Sequence, residues 1–225
     1  MFSVNKKSLK QSRKSLLGKN IRWVVGGSCS GKTTLCKTLS KEKGVSLYDM
    51  DEHIFGKYMP RYSPEKHPAN TAWFFRDNSL EWVLSLSLKE FCELNQAANA
   101  EYLELFSEDM DKCKNDKVAL VDGGITYPSL LAKVIPPENI ICLKVSLKES
   151  RLIWETAKSK KEMKSMISKL PNPDKLWKKF LKLNDITTNE ILKGSAKNGI
   201  KIMSRDSTSP SELSKWLLSS QEKCK

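Results

Sequence analysis

A glycine-rich segment between an apolar run and a helical pattern constrains the fold of this chain more than any other feature. Residues 26–33 read Gly-Gly-Ser-Cys-Ser-Gly-Lys-Thr and match the pattern G-x-x-x-x-G-K-[ST] at every fixed position. A mostly apolar stretch over residues 21–25 precedes the segment, and a helical pattern over residues 33–43 follows it and stops at Gly44. The sequence therefore predicts a buried strand, a tight loop and a helix in direct succession.

The same segment predicts a site for phosphate groups. Glycines let backbone N–H groups curl around phosphate oxygens, and a helix N-terminus adds partial positive charge. We expect Lys32 to reach the β- and γ-phosphates of ATP and the Thr33 hydroxyl to bind Mg²⁺. The predicted nucleotide-binding residues are Gly26, Gly27, Ser28, Cys29, Ser30, Gly31, Lys32, Thr33 and Thr34.

Short apolar runs alternate with helical patterns along the rest of the chain. Strand–helix alternation favours an α/β fold of three layers, with a five-stranded, mostly parallel sheet between helices. We also expect a helical insertion over about residues 56–115, whose first part is loop, and a lid over about residues 156–182. The further strands are predicted near residues 45–48, 118–121, 140–145 and 200–203. The further helices are predicted over residues 80–115, after Pro128, over 148–157, over 174–194 and from Pro210. The helix over 174–194 is expected to be interrupted near Asp185.

The net charge of +13 is unevenly distributed along the chain. Residues 1–41 hold ten Lys and Arg and no acid, whereas residues 42–143 hold ten against seventeen acids and residues 144–201 fifteen against six. We expect residues 1–19 to be a flexible basic tail ahead of a domain over residues 20–225. Because the positive charge is confined to two segments, the basic pI alone does not indicate a nucleic-acid partner.

Composition also bears on location. The apolar runs are far shorter than the ~20 residues that cross a membrane, so no membrane partner is expected. Six scattered cysteines without metal-site spacing, and a first segment without the apolar stretch of a secretory signal, favour a cytoplasmic location. The acid-free, Ser- and Lys-rich start leaves an organellar transit peptide as the alternative.

Three acidic residues follow predicted strands. Asp49 and Asp51 end the second strand, where residues two apart in an extended chain face the same way, so both carboxylates are expected to point into one cleft. Alternatively, Asp51 caps a helix beginning at Glu52. Asp122 ends the third strand, where it is placed for a contact with Mg²⁺, and Gly123 and Gly124 allow a ligand to approach the backbone.

With these motifs the sequence resembles the P-loop small-molecule kinases, and most closely the shikimate kinase and gluconate kinase-like family. The glycine-rich segment, Tyr48-Asp49-Met50-Asp51, Gly123-Gly124 and Phe75-Arg76-Asp77 carry the resemblance. It implies a fold like that of nucleoside monophosphate kinases, ATP and Mg²⁺ as cofactors, and transfer of a phosphoryl group to a hydroxyl of a small anionic or polyhydroxy metabolite. It also implies that Asp49 serves Mg²⁺, that Asp51 is the base, and that Arg76 binds an anionic group of the substrate.

The chain departs from that family at several positions. Ile125 stands where a third glycine is expected, and residues 156–204 contain no arginine. Arg151 is therefore our candidate for the catalytic lid cation, Arg205 for an adenine-binding loop, and Arg61 for a substrate contact. We expect Trp73-Phe74-Phe75 to belong to the core rather than to stack on a base. Two other functions stay open: a kinase acting on nucleosides, nucleotides or nucleic-acid 5′ ends, and an ATP-sensing module without catalysis.

Overall fold

A computed structural model describes residues 2–113, 118–204 and 210–219 of the chain. Within them five strands form one all-parallel sheet in the order β2-β3-β1-β4-β5, flanked by helices, which confirms the predicted α/β class. Parallel strands need crossover connections, and helices supply them here. The strands are β1 Ile21–Gly26, β2 Ser46–Asp49, β3 Ala119–Asp122, β4 Ile140–Lys144 and β5 Lys201–Ser204.

Helices cover both faces of the sheet. The α-helices are α1 Lys6–Leu16, α2 Lys32–Lys43, α3 Met50–Glu52, α4 Pro68–Phe74, α5 Ser79–Ser85, α6 Leu88–Lys112, α7 Pro128–Leu131, α8 Leu147–Thr156, α9 Lys161–Ser168, α10 Pro173–Lys197 and α11 Pro210–Leu218. None of the helices in the described ranges is long and apolar enough to cross a membrane.

The core is divided by the sheet because a central strand points alternate side chains to opposite faces. β1 is buried along its whole length. Trp23 and Val25 join the larger apolar cluster, which contains side chains of α1, α6 and α10, whereas Val24 joins a second cluster with side chains of α2 and α11. A third, smaller cluster joins α5, α9 and α10 through Leu84, Ile167 and Leu183.

The expectation of a flexible tail over residues 1–19 is wrong. Residues 6–16 form α1, whose N-terminus is capped by the Asn5 side chain and which packs against α6. Leu9 and Leu16 are only 7% and 3% exposed. The lysines and arginine of α1 lie on its outer face, so the many basic residues masked a narrow apolar stripe in the sequence.

The insertion and the lid contain more helix than the sequence predicts. α4 occupies residues expected to be loop, since Pro68 stands at its first turn, where proline is tolerated. α10 runs without interruption through Asp185. The Lys-rich segment before it forms a 3₁₀ turn over Lys158–Lys160 and then α9.

Candidate functional site

The loop between β1 and α2 presents free backbone donors at a helix N-terminus. Cys29 and Gly31 have φ angles of 68° and 88°, and these left-handed residues turn the chain sharply into α2. No side chain caps that N-terminus, and the first backbone bond of α2 runs from Leu35 N–H to the Gly31 carbonyl at 3.0 Å. The amides of the first helical turn are therefore available to an anion.

Lys32 lies back over its own loop. Its Nζ donates to the Gly27 carbonyl at 3.3 Å, and its side chain is half-buried. A Cβ placed on Gly123 would lie 3.3 Å from Lys32 Cε, so the loop after β3 borders the lysine closely. Lys32 thus stands between the glycine-rich loop and the end of β3, and its reach to phosphates stays a prediction.

Two glycines of the loop are required by packing. Gly26 has a φ of 156°, and a Cβ there would lie 2.5 Å from the Leu143 carbonyl oxygen on β4. A Cβ on Gly27 would collide with the Thr188 side chain of α10. The motif fixes the first glycine, whereas it leaves the second position free, so only the structure explains Gly27.

Asp49 and Asp122 lie side by side at the carboxyl ends of β2 and β3. They are direct partners in the register of these strands, and Val24 is the partner of Asp122 in β1. Neighbouring strands are about 4.8 Å apart, so the two acids share one edge of the sheet. Ligands bind at this edge in open α/β sheets.

Asp122 is buried and incompletely paired. It is 3% exposed, and its Oδ1 has no hydrogen-bond partner within the described parts of the chain. Burial raises the pKa of the Asp122 carboxyl, while the Thr33 hydroxyl and the Lys32 ammonium oppose that rise. A buried carboxylate oxygen without a partner is costly, and a cation or its water shell would satisfy it.

Asp51 does not continue β2, so the expected strand geometry is wrong at this residue. β2 ends at Asp49, whose Oδ1 accepts from the N–H groups of Asp51 and Glu52 at 3.0 and 3.2 Å. Asp49 therefore caps α3, and the alternative that Asp51 is the cap is also wrong. Asp51 lies inside the helical turn, which leaves its carboxylate free of capping.

The charges around Asp51 show where its carboxylate lies. Water reaches the side chain, yet burial raises the pKa of the Asp51 carboxyl, because protein surrounds it as in a cleft. Lys32 and Lys160 lower that pKa, whereas Asp49 and Asp122 raise it. The predicted acids and the loop lysine therefore form one electrostatic cluster, although not by the expected strand geometry.

Gly123 and Gly124 form a tight turn after β3. Both have left-handed φ angles, 66° and 71°, which favour glycine. The Gly123 carbonyl accepts from Trp23 Nε1 at 2.9 Å, and a Cβ on Gly124 would collide with the Met50 side chain. The pair thereby lets α3 approach the sheet closely, which holds Asp51 beside Lys32.

The arginines predicted for the site have other partners. Arg61 donates to Asp109 at 2.7 Å and to Glu108 at 2.8 Å, and so joins its loop to α6. Arg151 pairs with Asp185 of α10, with 2.9 Å from Nε to Oδ2. These contacts give both arginines partners within the chain, and their predicted contacts with substrate and phosphate stay predictions.

The remaining two arginines are placed differently. Arg76 is exposed, lies over the Trp82 ring at 4.2 Å, and donates from Nε to the Ala72 carbonyl at 2.8 Å. Its pairing with a substrate anion stays a prediction. Arg205 lies outside the described residues.

Lys160 is the lid cation that the sequence did not single out. Its Nζ lies 4.5 Å from the centre of the Trp154 ring, and Trp154 is 8% exposed on α8. One helical turn earlier on α8, Ser150 Oγ donates to the Ser28 carbonyl at 3.1 Å. Burial raises the pKa of both the Cys29 thiol and the Asp51 carboxyl, and the Lys160 ammonium opposes that rise at each. The lid turn is thus anchored beside the phosphate loop.

A magnesium ion fits the residues present. Within the described ranges no group of three or more His, Cys, Asp and Glu side chains could hold a metal ion on its own. The exposed Thr33 hydroxyl and the unpaired Asp122 Oδ1 nevertheless offer hard oxygen ligands next to Lys32. Mg²⁺ uses few protein ligands and keeps waters and phosphate oxygens, so this sparse set suits it.

Comparisons with known proteins do not assign the chain to a family. No family model matches the sequence, and no curated protein is significantly similar to it in sequence.

Proposed function

We propose that the protein is an ATP- and Mg²⁺-dependent kinase with a P-loop fold, which phosphorylates a hydroxyl of a small metabolite. One observation carries the proposal: a complete G-x-x-x-x-G-K-T loop meets Asp51 and Asp122 at the carboxyl edge of a parallel sheet, with Lys32 between them. The all-parallel five-stranded sheet is compatible with that fold.

In this proposal, each residue of the site has its own role in phosphoryl transfer. The free amides at the start of α2 and the Lys32 ammonium bind and neutralise phosphate oxygens. Asp51 orients the acceptor hydroxyl and takes its proton, since its carboxylate is unoccupied by capping and its pKa is raised toward the working range of a base. Thr33 and Asp122 would hold Mg²⁺, which supplies charge neutralisation to the phosphates when bound.

Lys160 takes the part that the sequence analysis gave to Arg151. It lies at the phosphate loop, whereas the Arg151 guanidinium is paired with Asp185. An ammonium at this position adds positive charge over the transferring group. The 3₁₀ turn that carries it belongs to the lid, so lid closure and charge placement are one event in this proposal.

Substitution of Lys32 tests the proposal. Wild-type protein is incubated with ATP, Mg²⁺ and a panel of hydroxyl compounds, and the products are followed by mass spectrometry and ³¹P NMR. We expect ATP-dependent phosphorylation of a panel member and a loss of about 10²- to 10³-fold in Lys32→Ala. Lys37→Ala is the matched control, because Lys37 is an exposed lysine further along α2.

The decisive outcomes are distinct. Unchanged turnover in a folded Lys32→Ala variant would contradict the assignment of residues 26–33 as a phosphate-binding loop. ATP binding without transfer to any member of a broad panel would favour the ATP-sensing alternative.

A further inference from the structure

The segment after β2 carries two stripes of side chains. α3 continues directly into a π-helical turn over His53–Lys57, so residues four apart lie on one face. Met50 and Ile54 are 0% and 3% exposed and pack toward Gly124. Asp51 and Phe55 form the neighbouring stripe and both reach solvent. The proposed base and an exposed phenyl ring therefore lie on the same side of the segment, about one turn apart.

Phe55 belongs to a small aromatic rim, defined here as Phe55, Trp73 and Phe74. The Phe55 ring centre lies 5.8 Å from that of Trp73 and 5.7 Å from that of Phe74, both in edge-to-face geometry. Tyr62, which is buried, stacks on Phe74 at 5.3 Å and supports the rim from inside. Packing thus holds the rim in place, and Phe55 joins the rim to the helical segment that carries Asp51.

The rim leaves apolar surface in water. Phe55 is 56% exposed, even though its ring contacts those of Trp73 and Phe74. Exposed apolar surface costs roughly 25 cal/mol per Å² relative to burial, so a ligand ring that covers Phe55 would gain free energy. The expectation that residues 73–75 belong to the core holds only in part, because Trp73 and Phe74 are half-buried and Phe75 is 60% exposed.

We propose that the phosphoryl acceptor carries a planar aromatic or heteroaromatic ring, which stacks on Phe55 while its hydroxyl reaches Asp51. The inference rests on the proposed kinase function and names the substrate class of that site. Nucleosides have this chemistry, with a flat base a few bonds from a hydroxyl, whereas open-chain polyols offer no face to stack. The one-turn spacing between Asp51 and Phe55 suits a molecule that joins the two groups through a small linker.

Binding measurements on variants of Phe55 test the inference. Calorimetric titrations use the wild-type protein with Mg²⁺ and a non-hydrolysable ATP analogue; the probes are adenosine, cytidine, uridine and thymidine, with gluconate as the open-chain comparison. We expect at least one nucleoside to bind and gluconate to bind more weakly. Loss of aromatic stacking in Phe55→Ala should weaken that nucleoside about 5- to 150-fold, with the affinity for the ATP analogue unchanged.

Two further variants separate stacking from general damage. Phe55→Tyr keeps the ring and should keep the affinity. Phe75→Ala is the matched control, because Phe75 is equally exposed but makes none of the ring contacts that build the rim within the described chain. Far-UV circular dichroism and melting temperature check that each variant folds.

The remaining outcomes overturn one proposal or the other. If the ATP analogue binds and no nucleoside does, or if Phe55→Ala binds a nucleoside as well as wild type, the substrate class is wrong. An equal loss in Phe75→Ala would remove the assignment to Phe55. If the wild-type protein does not bind the ATP analogue at all, the kinase function itself fails.

Discussion

At the scale of single residues, Asp49 and Asp51 differ because the chain changes conformation between them. Asp49 ends β2 and caps α3 with one carboxylate oxygen, while Asp51 lies within the helical turn and faces the cleft. Asp49 thus caps the backbone with Oδ1 while it stands beside Asp122, the candidate magnesium ligand, whereas Asp51 is available for proton transfer.

Substituting each acid by its amide separates these roles. Asparagine caps helices as well as aspartate does, so Asp49→Asn should fold normally and mainly raise the Mg²⁺ concentration needed for half-maximal rate. Asp51→Asn cannot accept a proton and should lower kcat by about 10²- to 10⁴-fold, with little change in ATP affinity. Magnesium titrations, steady-state kinetics and ATP-binding curves on both variants provide the measurement.

The size of the Asp51 effect also reports on the reaction. A loose transition state relies less on proton removal, and the loss would then lie near the low end of that range. Near-normal kcat in Asp51→Asn would contradict the assignment of the base.

At the scale of elements, α1 is part of the domain. Leu16 is 3% exposed against the core, whereas Leu17, the next residue, is 76% exposed. Leu16→Ala should lower the free energy of unfolding by about 2–5 kcal/mol, because it leaves a cavity under α1. Leu17→Ala should change it by less than about 0.5 kcal/mol. Chemical denaturation of both variants makes the comparison.

Equal, small effects in the two leucine variants would contradict the docking of α1. Helix propensity cannot explain a larger loss at Leu16, which lies in α1 while Leu17 is its C-cap, since alanine forms helix better than leucine. A large effect at Leu16 alone would therefore report packing.

The lid supplies a second matched pair. Lys160 lies over Trp154 beside the phosphate loop, and Lys164 lies over Trp177, with Nζ 5.5 Å from the ring centre. Both substitutions to alanine remove a lysine from an indole ring, but only Lys160 also acts on Asp51 and Cys29. We expect Lys160→Ala to lower kcat about 10²- to 10³-fold and Lys164→Ala to leave it unchanged.

Rescue sharpens the lid experiment. Lys160→Arg retains the positive charge and should therefore recover much of the kcat that Lys160→Ala loses. Such recovery is expected if Lys160 acts through its charge. Equal kcat values in Lys160→Ala and Lys164→Ala would contradict the assignment of Lys160 as the cation over the transferring group.

At the scale of the whole molecule, the sequence predicts the sheet well because its central strands are short and mostly apolar and strong helix signals separate the strands. All five strands lie within a residue or two of their expected positions, and the glycine-rich loop lies where its pattern places it. Parallel strands buried on both faces, such as the central β1, β3 and β4, produce mostly apolar runs, whereas the edge strands β2 and β5 are more exposed.

The partners of charged side chains could not be predicted in the same way. Arg151 and Asp185 are far apart along the chain, as are Arg61 and Asp109, so only the packing of α8 on α10 and of the loop on α6 brings them together. α1 and α4 were missed for a different reason. Their apolar stripes are narrow, and lysines or a proline dominate the local pattern.

The contact between Gly27 and Thr188 has a consequence for how this chain can vary over evolutionary time. The motif tolerates any residue at position 27, but α10 passes so close that even one methyl group has no room. A larger side chain at position 27 becomes acceptable only when position 188 shrinks or α10 shifts. These two positions, 161 residues apart in sequence, are therefore expected to change together in descendants of this protein, or not at all.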